Sequence, residues 1–330
     1  MKAVIIKESG ARPVVEDIPV PKPANGEVLI KMHSSPINPS DLSFIKGGYG
    51  VQKPYPVVPG FEGSGTVVEA GKGILPKLLV GKNVACSASH KHNGCWAEYM
   101  ITSANLCVPV SKSISLEQAS MMFVNPMTAL AFFDIHKQLS KSSKKEISII
   151  NTAGASALGR MVVKTGKKNN VPVISVIRRT EQVEILKSIG AKYIVNSSNP
   201  DFQAELKELA AELNATVIFD AVGGELSQQL LDIAPQGSNL FIYGRLSQEP
   251  LEINPGNMIS TGNHIHGFWL VNWLKGKSLF QTIMNTRKIQ SLLKDELSTT
   301  IYQKFEPENI TEAIETYKQN MSKGKVLIQF

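Results

Sequence analysis

Ile147-Ser-Ile-Ile-Asn-Thr-Ala-Gly-Ala-Ser-Ala-Leu-Gly159 is the stretch on which the reading of this chain turns. A short apolar strand ends at Ile150. Small residues follow through Gly154, Ser156 and Gly159, and the pattern predicts a helix from near Ala157. A second apolar strand, Val173-Ile-Ser-Val-Ile177, closes the unit. Strand, tight turn, helix and strand at this length form a βαβ unit of the kind that binds dinucleotides. Glycine lets the backbone turn sharply and approach a pyrophosphate, while the helix N-terminus offers free N–H groups and positive dipole. Aligned with G-x-G-x-x-G, the middle glycine is Ser156, whose small side chain carries a hydroxyl able to donate to a phosphate oxygen. Small-residue turns also occur for packing alone; the strand–turn–helix context favours the dinucleotide.

The end of the second strand sets the cofactor expectation. A site selective for NAD places Asp or Glu there to hold the ribose 2′-hydroxyl. Here the strand runs into Arg178-Arg179 with no carboxylate. Two guanidiniums suit a 2′-phosphate, so acid lost and arginines gained both point to NADPH. The competing reading is a solvated basic pair capping a strand.

Alternating strand and helix continue outward from this unit. Strands are expected at Ile147–Ile150, Val173–Ile177, Tyr193–Val195, Thr216–Phe219, Asn239–Tyr243 and His264–Phe268, the six of a complete doubly wound Rossmann sheet. Toward the N-terminus the pattern changes. Residues 1 to about 118 read as short strands between Pro and Gly, among them Val28–Met32, Gly65–Glu69 and Val80–Ala85, which suggests a β-rich, barrel-like unit. Ser115–Ser120 carries a helix start. Toward the C-terminus come one helical run near Leu274–Leu293, a polar helix after Asn309, and a strand Lys325–Phe330 that packs back on the N-terminal unit.

Composition bounds the rest. With 330 residues, 42% hydrophobic and 19% charged, the chain has room for two cores. It lacks a run of about 18 apolar residues, and Met1–Lys7 has too short an apolar stretch for a signal peptide. Three cysteines, Cys86, Cys95 and Cys107, are too few for a disulfide framework and favour a reducing cytoplasm. The net charge of +7 comes from lysines spread over helix faces without aromatic interleaving. Neither a nucleic acid nor a membrane is expected as partner; the field would attract anionic ligands instead.

Four stretches carry a resemblance: Ile37-Asn-Pro-Ser-Asp41 leading to Lys46-Gly-Gly-Tyr-Gly50, Pro59-Gly-Phe-Glu-Gly63, Val124-Asn-Pro-Met-Thr-Ala129, and Gly267-Phe-Trp-Leu270. With the layout, they resemble the medium-chain dehydrogenase/reductase superfamily, its zinc-independent quinone oxidoreductase group, and within that the trans-2-enoyl-thioester reductases. The resemblance implies an α/β fold with a Rossmann sheet at 119–268 and a GroES-like catalytic domain from 1–118 and 269–330. Zinc-dependent relatives place Cys where Asn38 stands and His where Phe61 stands; neither can serve as the expected ligand, so no catalytic zinc is expected. Cys86-x3-His90-x-His92-x2-Cys95 falls where relatives carry a structural zinc lobe, but its spacing is not a standard signature, and a plain loop is the preferred reading. His264 and His266 would share one face of a strand, and ordinary sheet and packing polarity is preferred there to a metal site.

The resemblance also implies roles. Tyr49 is the candidate catalytic residue, its hydroxyl donating as negative charge develops on substrate; packing of a glycine loop is the alternative. Gly154, Ala155, Ser156, Ala157, Leu158 and Gly159 match the phosphate turn, and Arg178 and Arg179 the 2′-phosphate site. Asn125 matches a position beside the nicotinamide, against an Asn-Pro turn as the alternative. Tyr243, Gly244, Arg245 and Leu246 match a loop along the cofactor, with Arg245 where a glycine is usual. Phe268, Trp269, Leu270 and Val271 match the segment at the nicotinamide end, and Lys325 a C-terminal lysine that reaches the cofactor; a solvated strand-start lysine is the other reading. The implied activity is NADPH-dependent reduction of the C=C of an α,β-unsaturated carbonyl, an enoyl thioester ahead of a quinone, by a homodimer. A non-catalytic NADPH-binding protein is the rival of a different class.

Overall fold

The computed structural model describes residues 1–293 and 295–330, with the side chain of Leu279 also left aside. In chain order the strands and helices are β1 (Lys2–Ile5), β2 (Val14–Asp17), β3 (Glu27–Pro36), α1 (Pro39–Ile45), β4 (Glu62–Ala70), α2 (Ile74–Leu79), β5 (Asn83–Ser87), β6 (Tyr99–Ser103), β7 (Cys107–Pro109), α3 (Leu116–Ser120) and α4 (Val124–Ser142). Then follow β8 (Ile149–Asn151), α5 (Ala157–Lys168), β9 (Val173–Ile177), α6 (Glu181–Ser188), β10 (Tyr193–Asn196), α7 (Phe202–Glu212), β11 (Val217–Asp220), α8 (Gly224–Ile233), β12 (Asn239–Ile242), α9 (Pro255–Thr261) and β13 (His264–Gly267). The chain closes with α10 (Leu270–Lys275), α11 (Leu279–Leu292), β14 (Ile301–Phe305), α12 (Ile310–Gln319) and β15 (Lys325–Gln329).

The chain divides into two compact units, Met1–Pro126 with Thr286–Phe330, and Met127–Asn285. The divisions differ from the boundaries 118/119 and 268/269 expected above. Helix α3 stays with the first unit because it packs on β3, β4 and β5, and because the Gln118 amide both donates to the Thr299 carbonyl and accepts from its N–H. Residues 269–285 stay with the second, in which Lys277 pairs with Asp134 of α4. Each division falls inside a helix, α4 and α11, where no loop signal exists to read.

The second unit holds a six-stranded, all-parallel sheet in the order β10-β9-β8-β11-β12-β13, the Rossmann order expected from the sequence. Every residue of β9 is buried, as a strand covered on both faces demands. Ile150, Ile174, Val176, Val195, Phe202, Leu206, Ile218, Leu230 and Leu240 form its core. Each such side chain, fully removed from water, contributes roughly 1.5–3 kcal/mol.

The first unit holds a seven-stranded sheet, β14-β15-β3-β4-β5-β7 with β6 also on β3, and a two-stranded sheet of β1 and β2; the terminal β15 pairs antiparallel with β3, as anticipated. Two local expectations fail. Val80–Ala85 is not one strand: Val80–Lys82 form a turn after α2, with Gly81 at φ 75° donating to the Val67 carbonyl, and β5 starts at Asn83. The helical run near Leu274–Leu293 is two helices, interrupted at Gly276–Ser278, where the Ser278 hydroxyl accepts from Gln281 N–H and starts α11 anew.

Candidate active site

In the second unit the β8–α5 turn is built by steric necessity. Ala153 takes φ 49°, turning the chain out of the sheet. A Cβ on Gly154 would lie 2.9 Å from the Ser175 Cβ, and one on Gly159 only 2.3 Å from the Gly154 carbonyl oxygen. The two retained glycines therefore let the turn press on β9 and let α5 press on the turn. Ser156 is the N-cap of α5: its hydroxyl oxygen accepts from Gly159 N–H at 3.0 Å. That explains serine in place of the middle glycine. Helix geometry leaves the first-turn N–H groups of Ala157 and Leu158 to an anion, and the Ser156 hydroxyl keeps its own proton to donate. Asn151 pairs with Ser175 across β8 and β9, and both side chains are buried with polar atoms that have no protein hydrogen-bond partner. A polar group in front of or within this turn would satisfy them.

Three further groups expected at the cofactor follow β9, β12 and β13 at the same carboxyl edge of the sheet, whereas Asn125, in α4, and Lys325, at the start of β15, belong to the first unit. After β9, the N–H groups of Arg178 and Arg179 both donate to Gln182 Oε1 at 3.1 Å, which fixes the turn. The Arg178 side chain is exposed, whereas Arg179 Nε pairs with Glu181 Oε1 at 3.1 Å. After β12, Gly244 sits where a Cβ would meet the Ala221 carbonyl oxygen at 2.7 Å, so close approach explains that glycine. Leu246 N–H donates to the same carbonyl, and Arg245 is exposed. After β13, Phe268 joins an aromatic group in which Phe132 stacks on Phe219 at 3.8 Å, with Tyr243 at 5.0 Å and Phe268 at 5.2 Å. Half-buried Trp269 is the N-cap residue of α10, and Leu270 and Val271 form its first turn.

Asp220, which the sequence reading passed over, organises this edge. Its buried carboxylate accepts from Thr152 Oγ1 at 2.6 Å, from the N–H groups of Val222 and Gly223 at 2.9 Å, and from the Ser227 hydroxyl. Thr152 in turn accepts from Ala221 N–H at 2.8 Å. An acid ending an otherwise apolar strand was the available signal.

The first unit carries a different kind of site. Asn38 is the N-cap residue of α1 and Pro39 its first residue; Asp41 Oδ2 accepts from Asn38 N–H at 2.7 Å, and Asp41 Oδ1 accepts from Phe61 N–H at 3.0 Å. Asp41 thus ties together the two positions at which zinc-dependent relatives carry ligands. The side chain of Asn38 is used at both ends. Its Oδ1 accepts from Lys325, and its Nδ2 donates to Glu62 Oε1 at 3.0 Å. Glu62 Oε2 then accepts from the N–H groups of Phe123 and Val124 at 3.0 and 2.9 Å, capping the start of α4 immediately before Asn125. Asn38, Asp41, Glu62 and Lys325 are all buried. Burial pushes the Asp41 carboxyl up from 3.8 to about 7 and also raises Glu62, while Lys325 opposes both shifts; burial lowers Lys325, against the pull of the two acids. Lys325 is therefore no solvated strand-start residue.

Tyr49 lies in the loop after α1, entered through Gly47 at φ 72°. Its ring rests on Phe61 at 5.0 Å, and Phe61 meets Phe44 edge-on at 5.6 Å. The aromatic that replaces a ligand histidine is thus the platform for the candidate acid. The donor set does not fit a catalytic zinc: an amide already bonded at both ends and a phenyl ring stand at the ligand positions, with an ammonium group bonded to that amide. Nor does the Cys86–Cys95 loop gather ligands. Both thiols lie in the apolar core, Cys95 against Met100 Sδ at 3.3 Å, and His92 Nε2 contacts Glu27 at 2.6 Å. His266 Nε2 contacts Asn239 Oδ1 at 2.9 Å and the ring stacks on Phe241. Among the described residues no group of three or more His, Cys, Asp or Glu could hold a metal ion.

A parallel six-stranded sheet with a phosphate-type turn, joined in one chain to a β-rich unit, defines the class of two-domain oxidoreductases. The Alcohol dehydrogenase GroES-like domain family matches residues 24–112 and the Zinc-binding dehydrogenase family residues 157–286. The chain is 28% identical over 284 residues to an enoyl-[acyl-carrier-protein] reductase, mitochondrial, of Arabidopsis thaliana, covering 83% of this chain and 73% of that one. Its identity to the Dictyostelium discoideum enzyme of the same name is 30% over 261 residues, covering 77% and 72%. A solved structure of a candidate NADPH:quinone reductase from Mesorhizobium loti superposes with a TM-score of 0.89 at 32% identity, covering 100% of this chain and 98% of that one. The chain belongs to the medium-chain dehydrogenase/reductase superfamily, in its zinc-independent branch.

Proposed function

We propose that this oxidoreductase uses NADPH to reduce the C=C bond of an α,β-unsaturated carbonyl compound, with a 2-enoyl thioester as the preferred substrate class. One observation carries the choice of chemistry: Tyr49 rests on Phe61, so a hydroxyl stands beside a position that metal-dependent relatives give to a zinc ligand. An oxygen that gains negative charge must be met either by a metal or by a proton donor. Bound NADPH supplies the hydride. The turn Gly154–Gly159 and the α5 N-terminus take the pyrophosphate, and Ser156 donates to it. Arg178 takes the 2′-phosphate, with Arg179 released from Glu181 or sharing it. Tyr243–Leu246 and Phe268–Val271 line the cofactor, Asn125 orients the nicotinamide, and Lys325 holds the Asn38–Glu62 chain that fixes the backbone before Asn125. Tyr49 donates to the forming enolate oxygen or delivers its proton.

The names of the relatives divide between enoyl reductases and quinone reductases, so a quinone is the second reading. It needs less acid help, since a hydroquinone anion takes its proton from solvent. The open edge strand β13 supports a two-fold dimer that pairs it with its copy. Among the described residues no helix is long and apolar enough to cross a membrane, and the three cysteines are free thiols, which supports a reducing compartment such as the cytoplasm. The test is NADPH oxidation by the chelator-treated protein, followed in parallel with crotonyl-coenzyme A and a simple quinone. Turnover of the thioester supports the reading. Turnover of the quinone alone favours the second, and turnover of neither favours a non-catalytic NADPH-binding protein.

A further inference from the structure

Between Glu69 and Glu98 the chain carries no acidic residue, yet it holds Lys72, Lys77, Lys82 and Lys91. The same stretch contains α2, Ile74–Leu79, a helix that buries only Pro76 and Leu79 against the first unit. Its other apolar side chains stand in solvent: Ile74 is 82% exposed and Leu78 60%, with Leu75 and, just beyond the helix, Val80 also exposed. Side chains as bare as Ile74 line no groove; they form a projecting tip. Lys72, Lys77 and Lys82, all exposed, surround that tip in the chain. The local fold deliberately maintains it, since Gly81 N–H and Val67 N–H close the turn onto the Val67 and Lys82 carbonyls and hold the helix against β4.

From this geometry we propose that α2 and its lysines dock the protein on an anionic lipid bilayer surface. A projecting apolar tip enters the boundary between headgroups and acyl chains, and lysines around it keep their ammonium groups among the anionic headgroups. This refines the expectation that membranes play no part: nothing spans, but one face attaches. A second copy of the chain is a poor occupant, because a two-fold contact here would set three lysines against three. A partner helix needs a groove, and a tip provides none. So small an apolar area gives weak, reversible and salt-sensitive attachment. The inference does not depend on which substrate the enzyme reduces.

The experiment is co-sedimentation of the full chain with vesicles of phosphatidylcholine and phosphatidylglycerol in equal parts, against vesicles of phosphatidylcholine alone. The expected result is binding to the anionic vesicles only. It should fall by about tenfold in Ile74→Asp/Leu78→Asp, and by a similar factor in Lys72→Glu/Lys77→Glu/Lys82→Glu. These positions are exposed, so the variants should keep the NADPH oxidation rate in solution, which checks the fold. Leu78→Cys labelled with a polarity-sensitive dye should report an apolar environment on vesicle binding; the three native cysteines are buried and spare the label. Failure of the native protein to pellet, or equal pelleting of the Asp variants, would overturn the proposal. So would a dimer in vesicle-free sedimentation that the Asp variants abolish, or an acidic protein captured through the same residues.

Discussion

The two units build their sites by opposite means. In the second unit the site is mostly backbone: a turn that admits only small residues, a capped helix start, and loops pressed so close that Gly154, Gly159 and Gly244 have no room for a side chain. In the first it is a chain of buried side chains, Lys325 to Asn38 to Glu62 to the start of α4, drawn from residues up to 287 positions apart. Backbone sites tolerate changes that keep residues small. A buried charged chain fails when one link is removed, because the remaining charges lose their partners.

Lys325→Met is accordingly expected to have the largest effect. It leaves Glu62 and Asp41 buried without their shared cation, and should cost about 3–5 kcal/mol of stability by urea unfolding. A cost below about 1 kcal/mol would show the chain to be incidental and would erase the contrast between the units. Glu62→Gln made in the same background should recover part of the loss, since it removes a charge that Lys325 balanced.

Tyr49→Phe comes next. It keeps the ring on Phe61 and deletes the hydroxyl. Turnover of an enoyl thioester should fall by roughly 10², while NADPH affinity holds and quinone reduction falls much less. Equal loss on both substrates would make Tyr49 a packing residue, and the first unit a scaffold only.

Replacing Arg178 and Arg179 together by Ala should weaken NADPH binding by roughly 10- to 100-fold, the scale of one or two hydrogen bonds to a charged group, and leave NADH binding unchanged. Arg178→Ala alone should account for most of the loss, because Arg179 already pairs with Glu181. Isothermal titration with both cofactors decides it; an equal loss for NADH would show that the arginines shape the turn rather than read the phosphate.

The last test is a pH dependence confined to the first unit. Asp41 sits at about 7 in the fold against an ordinary 3.8. Between those values the folded state holds a proton that the unfolded chain has released, so stability should fall as pH rises through the window and level off above it. In Asp41→Asn the slope, about one proton, should vanish. An unchanged slope would assign the proton to Glu62, which burial also raises.

What could be read from the sequence follows the same division. The Rossmann half is local: alternating apolar strands and helices, a small-residue turn and the Arg178-Arg179 ending lie within a few tens of residues, and the sheet order follows from short right-handed crossovers. Motif by motif, Asn38-Pro-Ser-Asp41 and Gly60-Phe-Glu-Gly63 were visible as patterns, yet their roles were not. That Asp41 grips Phe61, that Phe61 carries Tyr49, and that Glu62 caps α4 are pairings over 20, 12 and 62 positions. Asp220 was passed over for the same reason, since three of its partners are loop groups defined only once the strand ends. The broken helix at Gly276–Ser278 and the turn at Gly81 were missed because single glycines weakly contradict a strong apolar pattern.

By itself, then, the sequence determined most of the element types, the parallel sheet, the small-residue turn and the loss of the zinc ligands, because each rests on the chemistry of a short stretch. Only the tertiary structure decided where the units divide, which acid is neutralised by which base, and that Lys325 is buried against Asn38. Those are questions of which distant side chains share a low-dielectric interior, and no local pattern encodes that.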